Sequence, residues 1–513
     1  MGKSQIIDID WEKLIVDHSY LNNSTILELT FEERRKDIEE LNWLINNCIE
    51  KYNSISYLYP NSNKLSIKGF FKEEITLLKK HISLLQSIEN DSFFSIFIRI
   101  KYQIRRLLKQ LSGMLTSTDW LSPAVSKKGS WTEKGDYQKE EDVYMRLRGS
   151  QNLKELERVF LNEYYEYSDV YENKTKGFIT CSGMKALEVA LIAYKMINKR
   201  DNSPIFYQDG LYYEGITLVN SIDQGAQSLT VEEIYNKLDD SEDINCLIVD
   251  PGTTWPIRKG IEMDILMKKI CKIRHTKPFF LIIDRTVTTI SSQIIRDYGE
   301  KLPKNVILIS IESGLKYYQL GLDLMNMGFI CIHGYLLRLP SFLNTFNHLL
   351  GVLSASPEPD LCFRLPPFSL KRLENRLIRM GRNTSLLYEM FKHLQEKKDI
   401  STVRPAIQDD YGYRIGKTNW IGTLLYVQSN ELRDKEDYYS AARKISSNSP
   451  NNLCIFTGSS FGFDSMRVGP VEEANTISPN NAIRFSVGRE PINEILLKGR
   501  YLQQFFNKKE VLN

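Results

Sequence analysis

Two stretches, FFLIIDRT at 279–286 and VILISIESGLKYY at 306–318, decide the fold of this chain. Each opens on an apolar run rich in Ile, Leu and Phe and closes on polar residues, Asp284 in the first and Ser313 in the second. Runs of this length without polar alternation read as strands buried on both faces, the pattern of a parallel sheet. They fall far short of the roughly 20 apolar residues needed to cross a bilayer.

Working outward, the same rhythm holds from about 150 to 335. GFITCS, SPIFYQ, INCLIVDPG and MGFICIH supply further short β-rich runs, and helical patterns at 184–198, 230–239 and 261–275 lie between them. Strands of four to six residues alternating with helices predict βαβ units and a mainly parallel sheet covered on both faces. Beyond 365, SLKRLENRLIRMGRNTSLLYEMFKHLQEKK reads as one long amphipathic helix. TNWIGTLLYVQ, NLCIFTG and NAIRFSVG then read as strands, and 491–507 as a last helix, which together predict a smaller α/β domain.

The front of the chain is different. ILELTFEERRKDIEELNWLINNCIEKY at 26–52 spaces Leu27, Leu29, Phe31, Ile38, Leu41, Leu44 and Ile45 at helical intervals, with Thr30 and Glu33 as its expected capping box. A second helix is expected over 92–115, where Arg99, Lys101, Arg105, Arg106 and Lys109 occur without an acid. Such a charge run is expected to be a solvated face beside an apolar one; the competing reading is a phosphate or membrane-surface patch. The polar stretch PAVSKKGSWTEKGDYQKE at 123–140 marks a boundary. The expected division is therefore a helical extension at 1–130, a large domain at 131–365 that begins with an arm at 131–176, and a small domain at 366–513.

Composition excludes several classes. The 67 Lys and Arg against 64 Asp and Glu leave a formal charge of +3, so bulk charge gives no support for nucleic-acid binding. A hydrophobic fraction of 42% argues for a large buried core and against disorder. The seven cysteines form no C-x-x-C pair and the six histidines no close ligand set, so neither a disulfide framework nor a metal site is expected. The opening MGKSQIIDIDWEKL carries acids where a secretory signal would be apolar. A cytoplasmic protein with no membrane association is the expectation.

In an open α/β sheet the chemistry gathers at the carboxyl ends of the strands. The residues there are Ser182-Gly183-Met184, Tyr212, Asp250, Asp284 and Ser313-Gly314-Leu315-Lys316. Singly each has a dull explanation: a cap, a turn, a solvated lysine. As a set, in this order, they are more specific. A glycine turn opening a helix suits a phosphate, an Asp ending a buried strand can hold a protonated ring nitrogen, and a lysine one strand later can form a Schiff base. Those are the groups that pyridoxal 5′-phosphate asks of a protein.

At this point the sequence resembles a known family, the cysteine/methionine-metabolism group of pyridoxal-phosphate enzymes: cystathionine γ-synthase, the cystathionine lyases and methionine γ-lyase. The family's Ser-Gly-Met stands at 182–184, its Asp-x-Leu-Tyr at Asp209–Tyr212, its Asp-Asn-Thr as Asp284-Arg285-Thr286 and its lysine motif as Ser313-Gly314-Leu315-Lys316-Tyr317. SLKRLENRLIRMGRN at 369–383 is similar to its inter-domain helix, Ser460-Phe461-Gly462 to its Ser-Leu-Gly, and Ile483–Glu490 to its Ile-Arg-Leu-Ser-Val-Gly-x-Glu.

The resemblance implies fold type I: a large domain built on a mainly parallel seven-stranded sheet, followed by a smaller C-terminal α/β domain. It implies Lys316 as the cofactor lysine, Asp284 against the ring nitrogen, and Tyr212 over the ring as an acid or base. Ser182, Gly183, Met184, Thr286 and Ser313 would complete the cofactor site, while Arg484 and Ser460 would bind the substrate carboxylate. Tyr144 and Arg146 resemble a Tyr-x-Arg that reaches the phosphate of a neighbouring subunit, which implies a homodimer or homotetramer with shared sites; Arg148 competes with Arg146 for that role. The implied reaction is β/γ-elimination or γ-replacement on a small amino acid with a thioether or activated-hydroxyl leaving group. Aldol, carbon–carbon-forming or transamination chemistry with the same cofactor, and a non-catalytic scaffold, are the alternatives.

The departures are specific. Glu312 stands where the family usually has His, Leu315 where it has Thr, and Arg285 where it has Asn, and the helical front has no counterpart. They put the family's housekeeping sulfur reactions in question more than its cofactor.

Overall fold

A computed structural model of the chain describes residues 23–58, 65–88, 92–115, 151–164, 174–198, 203–240, 244–252, 260–273, 277–357, 364–408, 412–472 and 481–507. The helices, in chain order, are α1 (Asn23–Leu58), α2 (Leu65–Leu85), α3 (Phe93–Leu115), α4 (Gln151–Tyr164), α5 (Gly183–Ile197), α6 (Tyr213–Ile222), α7 (Val231–Asp239), α8 (Met263–Ile270), α9 (Ile294–Tyr298), α10 (Pro340–Val352), α11 (Leu370–Glu396), α12 (Lys435–Ser447) and α13 (Ile492–Asn507).

The large sheet contains β1 (Thr175–Thr180), β2 (Phe206–Gln208), β3 (Gln227–Leu229), β4 (Cys246–Val249), β5 (Phe279–Asp284), β6 (Val306–Ser313) and β7 (Gly328–Gly334), in the order β1-β7-β6-β5-β4-β2-β3. All are parallel except β7, which runs against both β6 and β1. This is the expected mainly parallel seven-stranded sheet. Every residue of Phe279–Ile283 and Val306–Glu312 is buried, as strands sandwiched between helices require. The parallel strands place the ends of β1, β4, β5 and β6 on one edge, and Asp284 pairs in register with Ile311, two residues before Ser313.

The second sheet has the order β12-β13-β14-β11-β8, from β8 (Thr402–Pro405), β11 (Leu424–Gln428), β12 (Phe456–Thr457), β13 (Arg467–Glu472) and β14 (Asn481–Ser486). It is antiparallel apart from the β12–β13 pair, and a two-stranded hairpin of β9 (Arg414–Ile415) and β10 (Thr418–Asn419) lies beside it in the chain. The long helix expected after 365 is α11, capped by Ser369, whose hydroxyl accepts from the Arg372 amide.

Two expectations about the front fail. Helix α1 begins at Asn23, so Thr30 and Glu33 are interior residues and form no capping box. The basic run of α3 is not a uniformly solvated face. Arg99, Arg106 and Lys109 are exposed, but Lys101 is buried and Arg105 half-buried against acidic partners. The reason is tertiary. Glu33, Asp37 and Glu40 lie along one face of α1 at helical spacing and are buried. Glu33 meets Arg382 and also accepts from the Ile492 amide at 2.9 Å, at the positive end of α13. Asp37 lies 2.8 Å from Arg379 and 2.9 Å from Arg489; Glu40 lies 2.8 Å from Arg489 and 2.5 Å from Lys101. Helices α1–α3 share one continuous apolar cluster with the large sheet, through residues such as Leu41, Ile82, Phe97 and Leu108.

Candidate functional site

The edge where β1, β4, β5 and β6 end opens into a cavity of about 680 Å³, within the range usual for small-molecule sites. Its wall brings together ten of the residues singled out from the sequence: Ser182, Gly183, Met184, Tyr212, Asp284, Thr286, Ser313, Lys316, Ser460 and Arg484. Tyr144 and Arg146, with the competing Arg148, lie outside the described residues.

One wall is the start of α5. The Ser182 hydroxyl accepts from the Lys185 amide at 3.1 Å and caps the helix, while Gly183 and Met184, as its first residues, have no intrahelical carbonyl for their N–H groups. Positive dipole and free donors thus meet at the cavity. Close packing requires glycine here: a Cβ on Gly183 would lie 3.0 Å from that of Ser313, and one on Gly328 only 2.3 Å from the Ser182 carbonyl oxygen. The Thr286 hydroxyl accepts from the Ser313 amide at 3.0 Å, fastening the end of β6 to the turn after β5.

The floor is acidic. Burial raises the Asp284 carboxyl above its ordinary range, opposed by hydrogen bonds from Thr286, whose amide donates at 2.9 Å. Asp250 is raised further, by burial and by the neighbouring Asp284. Glu312 is pushed up to about 7 by burial, against the pull of Arg285 and the Tyr318 hydroxyl, which donates to it. Arg285 and Glu312 are both buried, with Nε and Oε1 3.8 Å apart, so two of the departures from the family pattern form one pair.

Lys316 follows β6 on the loop toward β7. Its Nζ donates to the Ser460 hydroxyl at 2.9 Å and sits 5.2 Å from the centre of the Phe461 ring. Burial, reinforced by the positive Arg484, holds this amine below the usual lysine range, which favours the neutral, nucleophilic form. Gly462 allows the close approach: at φ +87° it carries no Cβ, and one built there would lie 1.9 Å from the Lys316 carbonyl oxygen.

The small sheet supplies Arg484, in register opposite Tyr426 and Gly469. One of its terminal nitrogens donates to the Ser459 carbonyl, and its Nε is buried with no hydrogen-bond partner among the described residues. Arg484 lines the cavity, and a guanidinium there is suited to an anion. Tyr212, at the start of α6, is partly exposed at the mouth; burial and the adjacent Glu214 raise its phenol, so it is held protonated.

Sequence reasoning passed over the rest of the mouth. Tyr213 donates to Glu214 at 3.1 Å, and Lys435 pairs with Glu472 at 2.5 Å beside Tyr439. The spacing of Lys435 and Tyr439, one turn apart on α12, was the only signal available.

No family model matches the sequence, and no curated protein matches it either. Solved structures do. Yeast cystathionine γ-lyase superposes with a TM-score of 0.50 at 17% identity, over 77% of this chain and 92% of that one. A putative O-acetylhomoserine (thiol)-lyase from Campylobacter jejuni, whose structure contains N′-pyridoxyl-lysine-5′-monophosphate, gives 0.48 at 18% identity over 71% and 87%. The 8-amino-7-oxononanoate synthase of Francisella tularensis gives 0.43 at 13% identity over 71% and 89%. At such identity the likeness shows the fold alone, and that fold is type I.

Proposed function

We propose that the cavity binds pyridoxal 5′-phosphate and that the chain uses it to eliminate or replace a group at Cβ or Cγ of an amino acid. The observation that carries this reading is the convergence on one cavity of a half-buried lysine of lowered pKa, a half-buried carboxylate at the end of β5 and the open N-terminus of α5.

The residues fit the group. The amides of Gly183 and Met184 and the Ser313 hydroxyl would take its phosphate. Asp284, whose charge is costly while unpaired, would be relieved by a protonated ring nitrogen and would hold that proton in place. Lys316 would join its aldehyde. Bound there, the coenzyme supplies an electron-withdrawing ring that stabilises negative charge at the substrate Cα.

This chain's own residues do the rest. Arg484 would present its guanidinium N–H groups to the substrate carboxylate, a paired geometry that lysine cannot match. The Lys316 amine, kept partly neutral, would take the proton from Cα and return it at the neighbouring carbons. Tyr212, held protonated by Glu214 and by burial, is set to donate a proton to a leaving thiolate or alkoxide. An activated-hydroxyl or thioether substrate suits this donor.

The test is spectroscopic and then chemical. The purified chain should take up pyridoxal phosphate with a visible absorbance band that borohydride abolishes, and Lys316→Ala should lack the band. Amino acids screened by shift of that band identify the substrate. Ammonia with a 2-oxo acid marks elimination, a retained amino group marks replacement, and accumulation of pyridoxamine phosphate would instead show transamination. A chain that binds no coenzyme, or a Lys316→Ala variant with normal turnover, refutes the reading.

A further inference from the structure

The α3 lysine at 101 enters the interior, four residues downstream of each side of the Lys316–Ser460 contact. Its ammonium has three N–H donors, and three acceptors surround it: Glu40 Oε1 at 2.5 Å, the Leu320 carbonyl at 2.7 Å and Asp464 Oδ1 at 3.0 Å. Leu320 lies four residues after Lys316, and Asp464 four residues after Ser460.

The loop after Lys316 is not at rest by itself. Leu320 has φ +52° and Asp323 φ +47°, left-handed conformations that cost a non-glycine residue of order 1–2 kcal/mol. Both are held by basic side chains of the same helix. Lys101 takes the Leu320 carbonyl, and Arg105 takes the Asp323 carbonyl at 2.7 Å and its carboxylate at 3.3 Å. The facing loop is held in the same way: Arg376 donates to the Gly462 carbonyl at 2.9 Å and meets Asp464 at 2.5 Å, and Asp464 also meets Arg489 at 2.9 Å.

We infer that Lys101 is a positioning residue: its ammonium staples the 316–323 loop to the 459–465 loop, and so sets Ser460 and Phe461 against Lys316. The helical front is thereby part of the site's framework. The inference deepens the proposed function, because its value to the chain rests on Lys316 being the coenzyme lysine. Its test reads that lysine directly, with no coenzyme present.

The experiment uses the full-length chain without coenzyme. Hydrogen–deuterium exchange is followed segment by segment, and each lysine's acylation by acetic anhydride is followed against pH by mass spectrometry. In Lys101→Met the 316–323 and 459–465 amides should exchange about tenfold faster while other segments keep their rates. The Lys316 acylation midpoint should rise by about one pH unit as the amine regains water. Lys109→Met, an exposed lysine on the same helix, should change neither. Because Lys101→Met strips a cation from two buried carboxylates, the double variant Glu40→Gln/Lys101→Met is measured beside it. It removes one charge of each sign and should give the same two local changes. Wild-type exchange in both loops of either folded variant overturns the inference, as does acceleration spread evenly over the chain. Failure to take up pyridoxal phosphate counts against the coenzyme and leaves both of these readings intact.

Discussion

Gly462→Ala tests the contact between the two halves of the cavity most directly. The position has φ +87°, so any L side chain carries a left-handed penalty of about 1 kcal/mol. In addition, the new Cβ would sit 1.9 Å from the Lys316 carbonyl oxygen and 2.5 Å from its carbon. Both are backbone atoms, so no side-chain rotation relieves the clash. A main-chain shift of this kind costs about 1–3 kcal/mol more. Gly416 is the control. It has φ +60° in the turn between β9 and β10, with nothing within 4 Å of its missing Cβ, so Gly416→Ala bears the conformational term alone. Urea unfolding should therefore show a loss of about 1 kcal/mol for Gly416→Ala and about 2–4 kcal/mol for Gly462→Ala. Only the second should also weaken uptake of pyridoxal phosphate, since it moves Lys316. Equal losses, or a Gly462→Ala chain with unchanged uptake, would refute the claimed approach.

Three further outcomes are expected. Lys498 and Glu490 are both fully buried and 2.7 Å apart, so Lys498→Met should cost about 3–5 kcal/mol in urea unfolding, and Lys498→Met/Glu490→Gln should recover more than half of it. The Glu312 carboxyl rises from 4.5 to about 7 on folding. Between those values the folded chain keeps a proton that the unfolded chain has lost, so this group makes stability fall as pH rises. Glu312→Gln should remove about 2–4 kcal/mol of that fall, read as the difference between the two stability curves from pH 4.5 to 7.5, and parallel curves would contradict it. Arg484→Lys should weaken amino-acid binding about 10–100-fold in an absorbance titration, through loss of the paired hydrogen bonds, while coenzyme uptake stays unchanged.

The order of strands and helices, the parallel sheet and the strand-end residues facing the cavity were legible because each depends on local pattern. Short apolar runs such as FFLIID, bounded by polar turn residues, read as buried strands, and a residue that ends a parallel strand sits at the sheet's edge. The sequence also marked Glu312 and Arg285 as unusual. Their union could not be read, because Glu312 lies on β6 and Arg285 just past the end of the adjacent β5, so they meet only across the sheet. Lys101 is the clearest case of what tertiary structure alone decided. On its own helix it is one cation among five with no acid nearby, which in water is a solvated face. Its burial becomes tolerable only because Glu40 from 61 residues upstream and Asp464 from 363 residues downstream converge on it. Desolvating a charge is favourable only where partners have already been assembled, and no local pattern announces partners that distant.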